Sequence, residues 1–246
     1  MTTLRTALIT GGTGALGQAI ALALHDAGHR VIVTCRQRGQ AEQAWLDAQA
    51  AAGREFLAYP VDVADYASCR ALADTLAADG LSVDILVNNA GVTRDASLRK
   101  MAPEDWATVL RCNLDSMFNM TQPLIEGMTS RGWGRVVNIS SVNGFKGAFG
   151  QTNYGAAKAG VHGFTKSLAL EVARKGVTVN TVSPGYLDSP MVAAVPQNVL
   201  EEKILPQIPV GRLGQPAEIA ALVTFICSDS AGYMTGSNVA MNGGMY

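Results

Sequence analysis

The chain has 246 residues, with 19 Lys and Arg against 20 Asp and Glu, and a formal net charge of −1. That balance leaves no electrostatic footprint for a nucleic acid, and no apolar run reaches the roughly 18 residues that a membrane-spanning helix needs. Hydrophobic residues make up 48% and charged residues 16%, as suits one large sheet covered on both faces, with apolar surface left for a subunit contact.

The first strand is predicted at TALIT (6–10). No basic-then-apolar leader precedes it, so a cytoplasmic location is expected. The turn TGGTGALG (Thr10 to Gly17) and a helix over 15–27 follow. Strand, glycine turn and helix in succession let backbone N–H groups approach a pyrophosphate and give it the helix dipole. The glycines fit two literal patterns: Gly12, Gly14 and Gly17 spell G-x-G-x-x-G, while Thr10, Gly11, Gly14 and Gly17 spell T-G-x-x-G-x-x-G. A third frame, T-G-x-x-x-G-x-G, asks for glycine where Ala15 stands.

The second strand, RVIVT (30–34), runs into Cys35, Arg36, Gln37 and Arg38. A carboxylate here would bind an adenosine 2′-hydroxyl, whereas guanidinium pairs with a 2′-phosphate. NADPH is therefore the expected cofactor. Arg36 is nearer the strand end, and Arg38 reads equally as a solvated loop charge.

Further strands are predicted at 56–60, 84–89, 135–140, 177–183 and 238–242, with helices over 41–52, 66–79, 103–131, 152–175 and 216–228. The strands are short, β-branched and almost continuously apolar, as in sheets buried on both faces. Their alternation with helices predicts a single α/β domain over 1–246 with a parallel seven-stranded sheet and right-handed crossovers. The segment 185–214 breaks the rhythm with Pro190, Pro196, Pro206 and Pro209, and is expected to form a lid over about 186–214.

Four cysteines (Cys35, Cys69, Cys112, Cys227) are scattered without C-x-x-C spacing and read as reduced structural thiols. His25, His29 and His162 form no ligand-like set, so no catalytic metal is expected.

In NISS…NYGAAK, Ser141 ends a predicted strand, while Tyr154 and Lys158 lie four apart on one helix face. A free tyrosine, with a pKa of about 10, is a poor acid at neutral pH. A neighbouring ammonium is expected to lower that value.

These pieces together resemble the short-chain dehydrogenase/reductase family over essentially the whole chain, which implies a Rossmann-type doubly wound fold with helices on both faces. The resemblance places Thr13, Ala15 and Leu16 with Gly11, Gly14 and Gly17 in the cofactor turn, and adds Asp62 and Val63 beside the adenine. Asn89, Ala90 and Gly91 of NNAG, and Pro184, Gly185 and Leu187 around SPG, complete the cofactor contacts. It implies a catalytic set of Asn113, Ser141, Tyr154 and Lys158, thirteen residues separating serine from tyrosine. Ser141 would hydrogen-bond a ketone oxygen, Tyr154 protonate it, Lys158 hold the nicotinamide ribose and Asn113 anchor a proton-relay water. Family members are mostly homotetramers. The helices 103–131 and 152–175 and the stretch 238–246 are the expected interface.

Within the family, NNAGVTRD (88–95), RGWGRVVNISSVNG (131–144), GQTNY (150–154) and KGVTVNTVSPGY (175–186) resemble the acetoacetyl-CoA reductases of polyhydroxybutyrate synthesis. That implies NADPH-dependent reduction of acetoacetyl-CoA to (R)-3-hydroxybutyryl-CoA, with Asp95, Phe149, Gln151 and Tyr186 along the acyl and pantetheine path beside Ser141 and Tyr154. Ala148 stands where that group would have glutamine, and 187–202 contains no Lys or Arg. The alternative is reduction of 3-oxoacyl–acyl carrier protein. It needs a basic patch near the cleft, for which Arg131, Arg135, Arg174 and Lys175 are candidates. A non-catalytic NADPH-binding module and a small-ketone dehydrogenase are more remote. In this family frame Ala15 belongs in the first turn of the helix, where φ is negative.

Overall fold

The structure, a computed structural model, describes residues 4–193, 195 and 197–246. Its seven strands are β1 (Thr6–Ile9), β2 (Arg30–Cys35), β3 (Phe56–Pro60), β4 (Ile85–Asn88), β5 (Gly134–Ile139), β6 (Val177–Pro184) and β7 (Asn238–Met241). They form one sheet in the order β3-β2-β1-β4-β5-β6-β7, every neighbouring pair parallel. Each strand lies within about one residue of its predicted position.

Parallel neighbours need crossovers, and helices supply them. They are α1 (Ala15–Asp26), α2 (Gln40–Ala51), α3 (Tyr66–Ala78), α4 (Pro103–Leu110), α5 (Ser116–Arg131), α6 (Asn143–Lys146), α7 (Thr152–Val172), α8 (Pro190–Ala193), α9 (Gln197–Val199) and α10 (Pro216–Cys227). Alternate strand residues face opposite sides. Ala7 and Ile9 of β1 join Ile20 and Leu24 of α1 and Ile219, Val223 and Ile226 of α10 in one core. Leu8 joins Leu72 and Leu76 of α3, Met120 of α5 and Ala169 and Val172 of α7 in the other. The near-continuous apolar strands thus fill two layers, each fully buried large side chain contributing about 1.5–3 kcal/mol.

One expected helix is not continuous. Over 103–131 the backbone opens into a π-helical turn at Arg111–Asp115, between α4 and α5. The wider turn carries Asn113, and such turns are frequent at functional sites. The expected helix over 152–175 ends as a 3-10 turn at Ala173–Lys175.

The segment 186–214 holds α8, α9, a π turn (Leu200–Ile204) and a 3-10 turn (Leu205–Gln207). Its two feet meet: Gly214 N donates to Tyr186 O (2.9 Å), and Asp188 N to Gly214 O (2.8 Å). Of the expected lid, residues 194 and 196 lie outside the described residues. No described helix is long and apolar enough to cross a membrane, and no described set of His, Cys, Asp or Glu could hold a metal ion. The four cysteines are free; burial raises the thiols of Cys35 and Cys112 and pushes Cys69 and Cys227 up to about 12.

Candidate active site

Strand order reverses between β1 and β4, and in open α/β sheets a crevice opens at that point, beyond the strand ends. The turn after β1 lies there. Gly11 has φ +60°, which favours glycine, and a β-carbon on Gly12 would come within 2.7 Å of Val33. On Gly17 it would collide with the Gly11 carbonyl oxygen. Gly14 caps α1 with φ −78°, and Ala15 is the first helical residue. Alanine is therefore accepted at 15 without strain, and the first N–H groups of α1 remain available for an anion.

Thr10 joins this turn to the end of β4. Its Oγ1 accepts from the backbone N–H of Asn89 (2.9 Å) and Ala90 (3.0 Å). Asn89 Nδ2 donates back to the carbonyls of Thr10 (2.9 Å) and Gly11 (3.2 Å). The side chain of Asn89 thus holds the turn itself.

The two candidate arginines separate. Arg36 Nε lies 3.5 Å from Asp62 Oδ2, the arginine largely open to solvent and the aspartate partly so. Arg38 Nη2 is tied to Ala58 O of β3 (2.9 Å). Val63 is buried, its carbonyl accepting from Asn119 Nδ2 (2.9 Å). On the other side of the crevice, the Pro184 carbonyl at the end of β6 accepts from Val142 N (2.8 Å). Gly185 packs so closely on Asn242 that a β-carbon would be 2.9 Å from its Cα. Leu187 bridges to Gly214.

Asn113, Ser141, Tyr154 and Lys158 come from the π turn, the loop after β5 and the first turns of α7. Asn113 is fully buried; its Nδ2 donates to Val92 O (2.8 Å) and Val109 O (2.9 Å), while Oδ1 has no partner. Lys158 Nζ, also buried, donates to Ile139 O (2.8 Å) and lies 5.6 Å from the Tyr154 ring centre. Ser141 Oγ accepts from Asn143 N (3.2 Å) and is hydrogen-bonded to Tyr154.

The expected lowering of the tyrosine pKa is not what this geometry gives. Burial raises Tyr154 to about 12, with the Ser141 hydrogen bond only partly opposing it. Burial also brings Lys158 down to about 8. The ammonium stands over the ring, bonded to a carbonyl, so desolvation governs both groups.

Of the expected substrate residues, Asp95 and Gln151 meet: Gln151 Nε2 donates to Asp95 Oδ2 (2.8 Å). Gln151 Oε1 accepts from Asn143 Nδ2 (2.9 Å). Phe149 is 96% exposed between Gly147 (φ +69°) and Gly150 (φ +80°), so it is left unpacked among the described residues. Tyr186 lines a cavity of about 190 Å³ with Leu187, Ile208, Val210, Ile219 and Met241. Thr10, Asn143 and Asn153 were not anticipated. Asn153 accepts from Tyr154 N (2.7 Å) and donates to Arg94 O (3.0 Å), setting the start of α7. In the sequence, the two asparagines were signalled only by their places near Ser141 and next to Tyr154, and Thr10 by its place at the head of the glycine turn.

The basic candidates Arg131, Arg135, Arg174 and Lys175 do not border this crevice. They sit at the far ends of α5 and α7 and at the start of β5. Arg131 lies eighteen residues beyond Asn113, about 27 Å along the helix. Arg131 is bound to Val83 O and Asp84, and buried Arg135 stacks on Trp133. Described cations in or against the 186–214 segment include Lys146, which donates to Gln207 Oε1 (2.9 Å), Lys203 within it, and Arg212, which is paired with Glu218 (2.7 Å).

A nicotinamide dinucleotide fits these residues. The glycine turn and Gly91 form a cradle that β-carbons would fill, and the orphaned Asn113 Oδ1 lies at its floor. Residues 12–246 match the family model described as enoyl-(acyl carrier protein) reductase. The acetoacetyl-CoA reductase of Cupriavidus necator is 50% identical over 244 residues, covering 99% of each chain. That of Rhizobium meliloti is 52% identical, covering 98% of each. The 3-oxoacyl-[acyl-carrier-protein] reductase of Pseudomonas aeruginosa is 43% identical, covering 98% of this chain and 97% of its own. With a family model matching residues 12–246 and likeness of about half the residues over almost the whole chain, the chain belongs to the short-chain dehydrogenase/reductase family and uses a nicotinamide cofactor.

Proposed function

We propose that the protein reduces the 3-keto group of acetoacetyl-CoA to (R)-3-hydroxybutyryl-CoA with NADPH. The observation that carries this reading is half-sequence identity, end to end, to proteins named acetoacetyl-CoA reductase. The arrangement of Asp95 and Gln151 beside Ser141 and Tyr154 supports it.

The cofactor, held by the Gly11–Gly17 turn, Asn89–Gly91 and Pro184–Leu187, supplies a hydride. Ser141 orients the ketone oxygen, and Tyr154, protonated throughout the neutral range, delivers the proton to it. Lys158 would hold the ribose, and the unpartnered Asn113 Oδ1 would accept from a relay water that restores the proton. Arg36 would pair with a 2′-phosphate and so favour NADPH. The 186–214 segment closes over the acyl chain. The exposed apolar Phe118 and Leu170 on α5 and α7 support burial of these helices in a homotetramer, and NADPH use accords with a cytoplasmic location.

The carrier-protein reading loses support from the placement of Arg131, Arg135, Arg174 and Lys175 away from the crevice. Initial rates on acetoacetyl-CoA, acetoacetyl–carrier protein and a plain β-ketoester, each with NADPH and NADH, test the proposal. The CoA ester with NADPH should be fastest; no turnover of that pair would sink the reading.

A further inference from the structure

Three side chains form a hydrogen-bonded file from the catalytic serine loop to the rim of the crevice: Asn143, Gln151 and Asp95. The carboxylate at its outer end accepts only, so it dictates the polarity of the whole file. Gln151 must turn Nε2 toward Asp95, which leaves Oε1 facing Asn143, which must then present Nδ2. The opposite polarity would set the Gln151 carbonyl oxygen against the carboxylate. The observed bonds, 2.9 Å and 2.8 Å, follow this order.

The order has a consequence at the inner end. Asn143 is over nine-tenths buried, and its Oδ1 is left without a donor among the described residues. A buried amide that leaves its acceptor unpaired is retained against a desolvation cost. The same residue's backbone N–H donates to Ser141 Oγ. One short element, α6, therefore fixes both the catalytic hydroxyl and the outer pair.

We infer that Asn143 is a positioning residue for the thioester substrate: it locks the Gln151 amide so that Asp95 keeps one carboxylate oxygen free at the rim. This deepens the acetoacetyl-CoA reading and rests on it. A pantetheine arm carries amide N–H groups near the thioester, and a free carboxylate oxygen is an acceptor for one of them. A plain β-ketoester has no such N–H. The file thus acts on the discrimination between thioester and ester.

The test is a polarity inversion. Asn143→Asp, assayed at pH 8, replaces the inner donor with an acceptor and forces the Gln151 amide to turn, placing its oxygen against Asp95. Asp95→Asn alone leaves a side chain that can accept from Gln151 only by turning its own N–H toward the substrate. In the double variant the file runs in reverse with every bond restored, and the free atom at position 95 is again an oxygen. The readout is kcat/KM for acetoacetyl-CoA divided by that for methyl acetoacetate. Each single variant should lower the ratio about tenfold through the thioester KM, the scale of one lost hydrogen bond to a charged group. The double variant should return it to within about threefold of the parent. Losses that simply multiply in the double variant overturn the inference.

A second cycle, Gln151→Glu with and without Asp95→Asn, covers the case in which Asn143→Asp does not fold. There the two carboxylates repel in the single variant, and the added amide relieves them; absence of that recovery also counts against the file. If the parent fails to turn over acetoacetyl-CoA, the functional reading falls on its own. The file is then judged by melting temperature, which each single variant should lower and each double variant restore.

Discussion

Gly91 stands so close to Asn113 that a β-carbon on it would lie 2.6 Å from Asn113 Oδ1 and 3.6 Å from Lys158 Nζ. Asn113 cannot swing aside, because its amide is held at two carbonyls, Val92 O and Val109 O. Gly91→Ala should therefore displace the π turn or the lysine. The expected result is a loss of kcat of at least about a hundredfold, with a fall in Tm of several degrees, since an overpacked contact costs about 1–3 kcal/mol. Steady-state kinetics with a thermal melt checks it; parent-like kcat would show that the site tolerates the methyl.

Tyr154→Phe removes the proton donor and keeps the ring over which Lys158 stands. NADPH binding, followed by quenching of protein fluorescence, should stay within about threefold of the parent. Turnover should fall by about 10²–10⁴, the usual worth of a positioned acid.

The pH dependence of reduction should report the lysine. Lys158 loses its proton as pH rises through about 8, while Tyr154 keeps its own to about 12. Reduction needs both groups protonated, so kcat/KM should fall about tenfold per pH unit above 8, from the loss of one proton. A plateau running to pH 10 would mean that the ammonium is held charged in the free enzyme.

Arg36 is the one guanidinium left open beside Asp62, Arg38 being tied to β3. Arg36→Ala should raise the KM for NADPH about tenfold or more and reduce the NADPH-over-NADH preference by the same factor, as expected for a lost charge-assisted contact. Arg38→Ala should change the preference much less. Equal effects from the two would mean that the sequence position nearest the strand end does not set cofactor choice.

The sheet was legible because burial on both faces writes strands as short apolar runs, and seven of them survive to within about a residue. That Ser141, Tyr154 and Lys158 would come together was legible because they sit at fixed offsets from strand and helix ends; their roles are as proposed above. What did not show was whatever depends on approach in space. The π turn at Arg111–Asp115 has helical composition throughout, and only the fold brings Asn113 against Val92. The charges of Arg131, Arg174 and Lys175 looked free in sequence, yet they ride the far ends of helices whose near ends carry the chemistry. The tyrosine pKa followed the same rule: spacing placed an ammonium nearby, but desolvation outweighed it.

The meeting of Tyr186 and Asp188 with Gly214 has a consequence for how such a protein changes over time. Because both feet are pinned to each other just beyond β6, the chain between them closes as a loop of its own, anchored further by Val210 N on Gly243 O (3.1 Å) and Lys146 Nζ on Gln207 Oε1 (2.9 Å). Its length and composition can drift at little entropic cost, since loop closure depends only weakly on length. If, as proposed, this segment is the substrate lid, changes of length or sequence within it would alter acyl preference while the strand ends and the glycine turn stay as they are.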